Sequence, residues 1–188
     1  LALPTETVYG LACVPEIREA VEALFALKER PADKRLPLQV DSVETAEAAG
    51  FSLSAGALRL AGAFWPGALT LILPRPGFLP PWFAPGSATV GLRIPNHPVA
   101  LALLKEMDRP LAVTSANLSG HPPCMDARET AGCFAGENQL LVLDGGRARG
   151  GIASTVVSVE EEGIRVYRQG PLALSDLESA LAEPIPGA

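Results

Sequence analysis

Hydrophobic and polar positions follow two periods along this chain. Between Glu16 and Glu29 the apolar residues Ala20, Val21, Leu24, Phe25 and Leu27 recur at helical spacing, and Pro31 stops the pattern. Ser42 and Ser54 stand where N-caps belong, ahead of predicted helices over Val43–Ala49 and from Ala55 to about Phe64. "HPVALALLKEM" predicts a helix with Pro98 in its first turn. "DARETAGCFAG" predicts a short helix, and Ser175 is expected to cap a last one. Compact apolar runs predict strands at Leu1–Leu3, Leu36–Val40, Leu69–Leu73, Thr89–Pro95 and Leu111–Thr114, and "LLVLDGG" predicts a strand running into a turn. "ASTVVSVE" and "IRVYRQG" read as a hairpin closed by "EEG". Gly10 reads as a tight backbone passage, Pro66-Gly67 as a turn, residues 74–88 as a loop and residues 184–188 as a tail.

Strands and helices alternate, yet hairpins occur too, which implies one α/β domain over residues 1–188 built on a mixed sheet. With 188 residues, 48% of them apolar and 19% charged, the chain can bury a core and is not disordered. The formal net charge of -6 argues against a protein whose main task is coating nucleic acid. Cys13, Cys124 and Cys133 show no CxxC spacing, which points to a reducing cytoplasm rather than a disulfide framework. His97 and His121 are too few for a histidine-based zinc site. No apolar run reaches the roughly 18 residues of a membrane span. The chain opens at Leu1 inside a motif-like segment, so the expectation is that its natural start is missing.

Two segments concentrate chemistry. "KERPADKR" gathers Lys28, Arg30, Lys34 and Arg35 within eight residues, out of 15 Lys and Arg in all. Cations suit a helix C-terminus, and they also suit an anion clamp in an otherwise acidic protein. "LAVTSANLSG" starts as a buried strand and ends in Ser115, Asn117 and Ser119. Ser, Asn and Gly form ordinary turns, but at the end of a strand in an α/β sheet they also face the crevice where ligands bind.

Taken together, "PTETVYGLA", "KERPADK", "VGLRIP", "TSANLSG", "IASTVV" and "VYRQG" occur in an order that resembles the YrdC/Sua5 family, the threonylcarbamoyl-AMP synthases of tRNA modification. The resemblance runs from Pro4 to Gly170 and to the short, single-domain form. It implies a twisted mixed sheet with flanking helices and a concave basic face for the ligand. The family's K-x-R…S-x-N tetrad matches Lys28, Arg30, Ser115 and Asn117, a catalytic group around the nucleotide phosphates. Lys34, Thr89 and Arg168 match further ATP contacts, alongside Arg30 and Ser115. Thr7, Arg93 and Ser154 match contacts to L-threonine. Many relatives carry a histidine shortly after the basic loop; Val40 and Asp41 stand at the corresponding place here.

The implied reaction joins L-threonine, bicarbonate or CO2 and ATP into threonylcarbamoyl-adenylate and pyrophosphate, for hand-over to the proteins that modify adenosine 37 of tRNA. Mg2+ is expected to arrive with ATP, since no carboxylate cluster argues for a built-in metal site, Glu6 being a weak exception. "DGGRARGGIAS" lacks the GK[ST] ending of a Walker A loop and reads instead as a movable cover ahead of Ser154. One rival reading is a double-stranded RNA or tRNA binding module without synthase activity. Another is a carbamoyl-transfer domain of hydrogenase maturation, which sits in longer chains with zinc-finger segments.

Overall fold

The computed structural model describes residues 1–31, 34–136 and 140–182, so the expected tail over residues 184–188 lies outside the described residues. An eight-stranded mixed sheet forms the middle of the molecule, in the order β1-β2-β6-β3-β5-β4-β7-β8. Its strands are β1 (Ala2–Leu3), β2 (Gly10–Cys13), β3 (Leu38–Gln39), β4 (Leu69–Pro74), β5 (Thr89–Arg93), β6 (Leu111–Ser115), β7 (Thr155–Glu160) and β8 (Gly163–Arg168). Pairs β3–β5 and β4–β7 are parallel, and the other neighbours are antiparallel. Among the described residues six helices flank it: α1 (Arg18–Leu27), α2 (Val43–Ala48), α3 (Ala55–Phe64), α4 (Pro98–Met107), α5 (Ala127–Cys133) and α6 (Leu174–Ala182). Among the described residues, no helix is long and apolar enough to cross a membrane.

Local signals account for most helix starts. Ser42 Oγ accepts from Thr45 N at 3.0 Å, Ser54 Oγ from Ala57 N at 3.2 Å and Asp126 Oδ1 from Glu129 N at 2.8 Å. Ser175 is not a cap: α6 already begins at Leu174, and Leu177 N donates to Ala173 O. "LLVLDGG" joins the sheet only through an isolated bridge of Val142 to Ala2. Gly10 opens strand β2, and the passage there is tight, since a Cβ would lie 2.8 Å from Val113 Cγ1.

The two faces of the sheet are covered differently, and this asymmetry makes the site. Strand side chains alternate between faces. Leu11, Leu38, Leu71, Leu92 and Val157 meet Val21 and Leu24 of α1, Leu60 of α3 and Leu177 of α6 in the main core. On the opposite face a second, small core joins Leu3, Ala12, Leu111 and Val113 to Ala100 and Leu104 of α4. The remainder of that face carries polar side chains and bounds a cavity.

Candidate functional site

The basic segment and the Ser/Asn segment meet across 87 and 89 residues of chain. Glu29, just past α1, has a left-handed φ of 49°, and Arg30 N turns back to Phe25 O at 2.9 Å. Lys28, 1% exposed, sends its ammonium into the opposite segment. Its Nζ donates to Ser115 O at 2.5 Å, Asn117 O at 2.6 Å and Asn117 Oδ1 at 3.1 Å. An ammonium carries three protons, and these three oxygens take them all. Ser115 Oγ also donates to Asn117 Oδ1 at 2.6 Å, while Asn117 Nδ2 donates to Leu118 O and His121 O, each at 2.8 Å. Ser119 N closes the knot on Lys28 O at 2.9 Å. Burial, and then the nearby Arg30 charge, push the Lys28 ammonium down to a pKa of about 8. Lys28 and Asn117 therefore brace the turn that carries Ser115.

Ser115 faces a cavity of about 370 Å³ whose walls come from β2, β3, β4, β5, β6, β7 and β8. Arg30, Thr7, Thr89, Arg93, Ser154 and Arg168 line it as well. No aspartate or glutamate is among the described lining residues. Arg93 is buried; its Nη2 donates to Glu6 Oε1 at 2.6 Å and Thr7 Oγ1 at 3.0 Å, and its Nε to Gly67 O at 2.9 Å. The turn at Pro66-Gly67 folds tightly on the end of α3, where a Cβ at residue 67 would lie 2.4 Å from Phe64 O. Across the cavity Arg168 donates from Nε to Ser154 O at 3.0 Å and from Nη2 to Ser154 Oγ at 3.2 Å. Ser154 Oγ shares a hydrogen bond with Thr70 Oγ1 at 2.8 Å. Burial lowers the pKa of both Arg93 and Arg168, and the like charges of Arg93 and Arg30 lower that of Arg168 further. Four arginines, Arg30, Arg35, Arg93 and Arg168, thus line one cavity, a surplus of positive charge suited to an anion.

Lys34 does not line this cavity. It borders a neighbouring one of about 500 Å³ with Arg18 and Trp82, and Arg35 and Leu36 belong to both walls. The Gly-rich segment read as a movable cover is fastened to the "PTETV" stretch. Gly150 N donates to Glu6 O at 2.9 Å and Gly151 N to Thr7 O at 2.8 Å.

Gln39 escaped the reading of the sequence. It sits on β3 in register with Arg93 of β5, lines the cavity and is 5% exposed, and its Oε1 has no hydrogen-bond partner. An unsatisfied buried acceptor beside a buried arginine marks a place for a donor on a ligand. The alternation of "LPLQV" could have singled out this side chain, since Leu38 and Val40 point into the core. Val40 is fully buried there, and Asp41 is absent from the lining, so Gln39 is the polar residue that this strand brings to the site. Among the described residues, no group of three His, Cys, Asp or Glu is placed to hold a metal ion.

The Sua5/YciO/YrdC family profile, described as "Telomere recombination", matches residues 1–170. The chain is 39% identical over 183 residues to threonylcarbamoyl-AMP synthase of Pyrococcus abyssi (strain GE5 / Orsay), covering 97% of this chain and 54% of that protein. It is 39% identical over 181 residues to a putative threonylcarbamoyl-AMP synthase of Mycobacterium tuberculosis (strain ATCC 25618 / H37Rv), covering 96% of this chain and 82% of that protein. The solved structure of P. abyssi Sua5 complexed with L-threonine superposes with a TM-score of 0.89 at 39% identity, over 97% of this chain and 53% of that one. The chain thus spans about half the length of the P. abyssi relative.

Proposed function

The chain belongs to the Sua5/YciO/YrdC family, and from that premise we propose that it acts as a threonylcarbamoyl-AMP synthase, a nucleotidyltransferase using ATP, L-threonine and bicarbonate or CO2. One observation carries the reading: Arg30, Arg93 and Arg168 share a cavity with Thr7, Ser154 and Ser115, and no carboxylate is in its described lining. P. abyssi Sua5 has been solved with L-threonine, and the cavity of this chain offers cations and hydroxyls that suit an amino acid and a triphosphate.

The threonine amine adds to CO2, forming a carbamate and releasing a proton. A carbamate oxygen then attacks the α-phosphorus, and the bond from that phosphorus to the bridging oxygen breaks as pyrophosphate leaves. Both reactants are anions, so their approach is opposed by Coulomb repulsion that fixed cations offset. Arg30 and Arg168 are assigned to the phosphates, with Ser115 donating from the braced turn and Thr89 at the cavity wall. Arg93, Thr7 and Ser154 are assigned to the amino acid, and Gln39 offers it an acceptor. Lys28 and Asn117 act through Ser115 by fixing its position. Lys34, on the far side of Arg35, meets only the part of ATP that extends past that residue. Mg2+ enters as the counter-ion of ATP, hence as part of the substrate. Positioning and electrostatics supply the catalysis, without a covalent intermediate on the protein.

The adenylate is a reactive mixed anhydride, and its consumer is the cytoplasmic machinery that transfers threonylcarbamoyl to adenosine 37 of tRNA. Pyrophosphate release, measured with ATP, threonine and bicarbonate each left out in turn, tests the proposal. Release is expected only with all three present; release without threonine, or none from the complete mixture, overturns it.

A further inference from the structure

Strands β7 and β8 pair with an irregularity opposite the cavity. Val156 faces Arg168 and Val157 faces Val166, so Tyr167 has no partner of its own. A bulge of this kind re-aims a side chain. Here Tyr167 and Arg168, neighbours in sequence, both line the cavity. Tyr167 is 53% exposed. The Arg165 guanidinium lies 5.3 Å from its ring centroid, held in turn by Glu160 at 3.8 Å. The Tyr167 hydroxyl lies 3.5 Å from Ser158 Oγ. A ring backed by a cation on one side and bordering a cavity is an aromatic platform.

The other aromatic side chain of the lining is Tyr9. It is fully buried, and its hydroxyl donates to Gly146 O at 2.8 Å, so its ring is committed to the core. The cavity also extends along the sheet. Ser115 lies on β6, and Tyr167 lies on β8 at the sheet edge. We propose that Tyr167 is the stacking platform for the base of the nucleotide, with the phosphates directed toward Arg30 and Ser115. The inference rests on the nucleotide reading of the cavity and adds a specificity-determining residue that the family resemblance did not supply. A π-face stacks on any base, so Tyr167 separates nucleotides from bare polyphosphates rather than one base from another.

Calorimetric titration of the full chain and of Tyr167→Ala, with ATP and with inorganic tripolyphosphate as probes, tests this. ATP binding is expected to weaken about 5- to 100-fold in Tyr167→Ala while tripolyphosphate binding stays unchanged. Tyr167→Phe is expected to retain wild-type affinity, and fluorescence of etheno-ATP is expected to be quenched by the wild type and not by Tyr167→Ala. Equal loss for both probes, or no loss for ATP in a folded Tyr167→Ala chain, overturns the proposal. Because binding is read directly, a Tyr167-dependent affinity without pyrophosphate release would leave this inference standing and remove the synthase reading instead.

Discussion

Glu6 Oε1 accepts a 2.6 Å hydrogen bond from Arg93 Nη2, across 87 residues of chain. Its second oxygen accepts from Asn96 N at 3.0 Å, so Glu6 ties the "PTETV" segment to the strand that carries Arg93 and to the turn beyond it. Arg93 Nε and Nη2 are spent on the protein, which leaves Nη1 without a hydrogen-bond partner among the described residues. The carboxylate therefore does two things: it offsets the cost of a buried guanidinium and it fixes the one nitrogen, with its two N–H groups, that remains for a ligand.

Removing the Glu6 charge while keeping its shape tests both roles. Glu6→Gln leaves Arg93 buried beside Thr7 and Gly67 with no counter-charge. The expected loss is about 2 kcal/mol of stability, less than for a fully enclosed pair because Glu6 is partly exposed. Urea unfolding measures that loss, and the KM for threonine is expected to rise with it. Unchanged values for both would show that the pair neither stabilises the fold nor positions Arg93.

Gln39 predicts the opposite combination. Its unpartnered Oε1 is a standing cost to the empty protein, on the order of 1–3 kcal/mol for a buried polar group left unsatisfied. Gln39→Leu removes the acceptor and keeps much of the volume. Stability is expected to rise by up to about that amount, while threonine binding weakens, the trade of stability for function common at ligand sites. A thermal melt and a threonine titration on the same sample settle it; a variant that loses both would make Gln39 an ordinary structural residue.

The amine of Lys28 gives a pH signature with two signs. Its pKa of about 8 in the folded protein lies below the ordinary 10.5. Above pH 8 the neutral amine has two protons for three oxygens, so the Ser115 turn loosens and ATP turnover is expected to fall with an apparent pKa near 8. Stability responds the other way. Between about 8 and 10.5 the unfolded chain retains a proton that the folded chain has released, so this group's contribution to stability rises with pH across that window. The penalty for burying the ammonium is present in full below pH 8. Lys28→Met should abolish both trends, and a pH–rate profile beside urea midpoints at each pH checks them. Parallel rather than opposed trends would rule out this account.

Much of the fold was legible because its signals are local. Ser42, Ser54 and Pro98 announce helices that the structure contains, and the period-two run after Ala153 yields the β7–β8 hairpin. "LLVLDGG" misled because its apolar residues pack against the core without a strand partner beyond one bridge, which no local pattern encodes. Within the site, motif order led to residues that do meet, such as Arg93 with Thr7 and Arg168 with Ser154. The inward turn of Lys28 could not be read, since it depends on an opposing segment 87 residues away. Lys34 and Arg35 both border the second cavity, but only Arg35 also reaches the first, a difference within one irregular loop that spacing along the sequence does not encode.

The fastening of the Gly-rich segment leads to a last test. At Gly150 a Cβ would lie 2.9 Å from Glu6 O and 3.0 Å from Thr7 Cα, closer than side chains normally approach backbone. Gly150→Ala must therefore lift the segment away from Thr7 and break the 2.9 Å bond to Glu6 O and the 2.8 Å bond from Gly151 N. In the wild type this strap is expected to resist proteolysis between residues 145 and 151 even without ligands, since its donors are already satisfied. In Gly150→Ala the same bonds should be cleaved readily, and the KM for threonine should rise because Thr7 loses its cover. If the wild-type segment is cut as fast as the variant and is protected only by ATP and threonine together, it is a lid that closes on substrate rather than a fixed strap. The cost of ordering it would then be charged to each binding event instead of to folding.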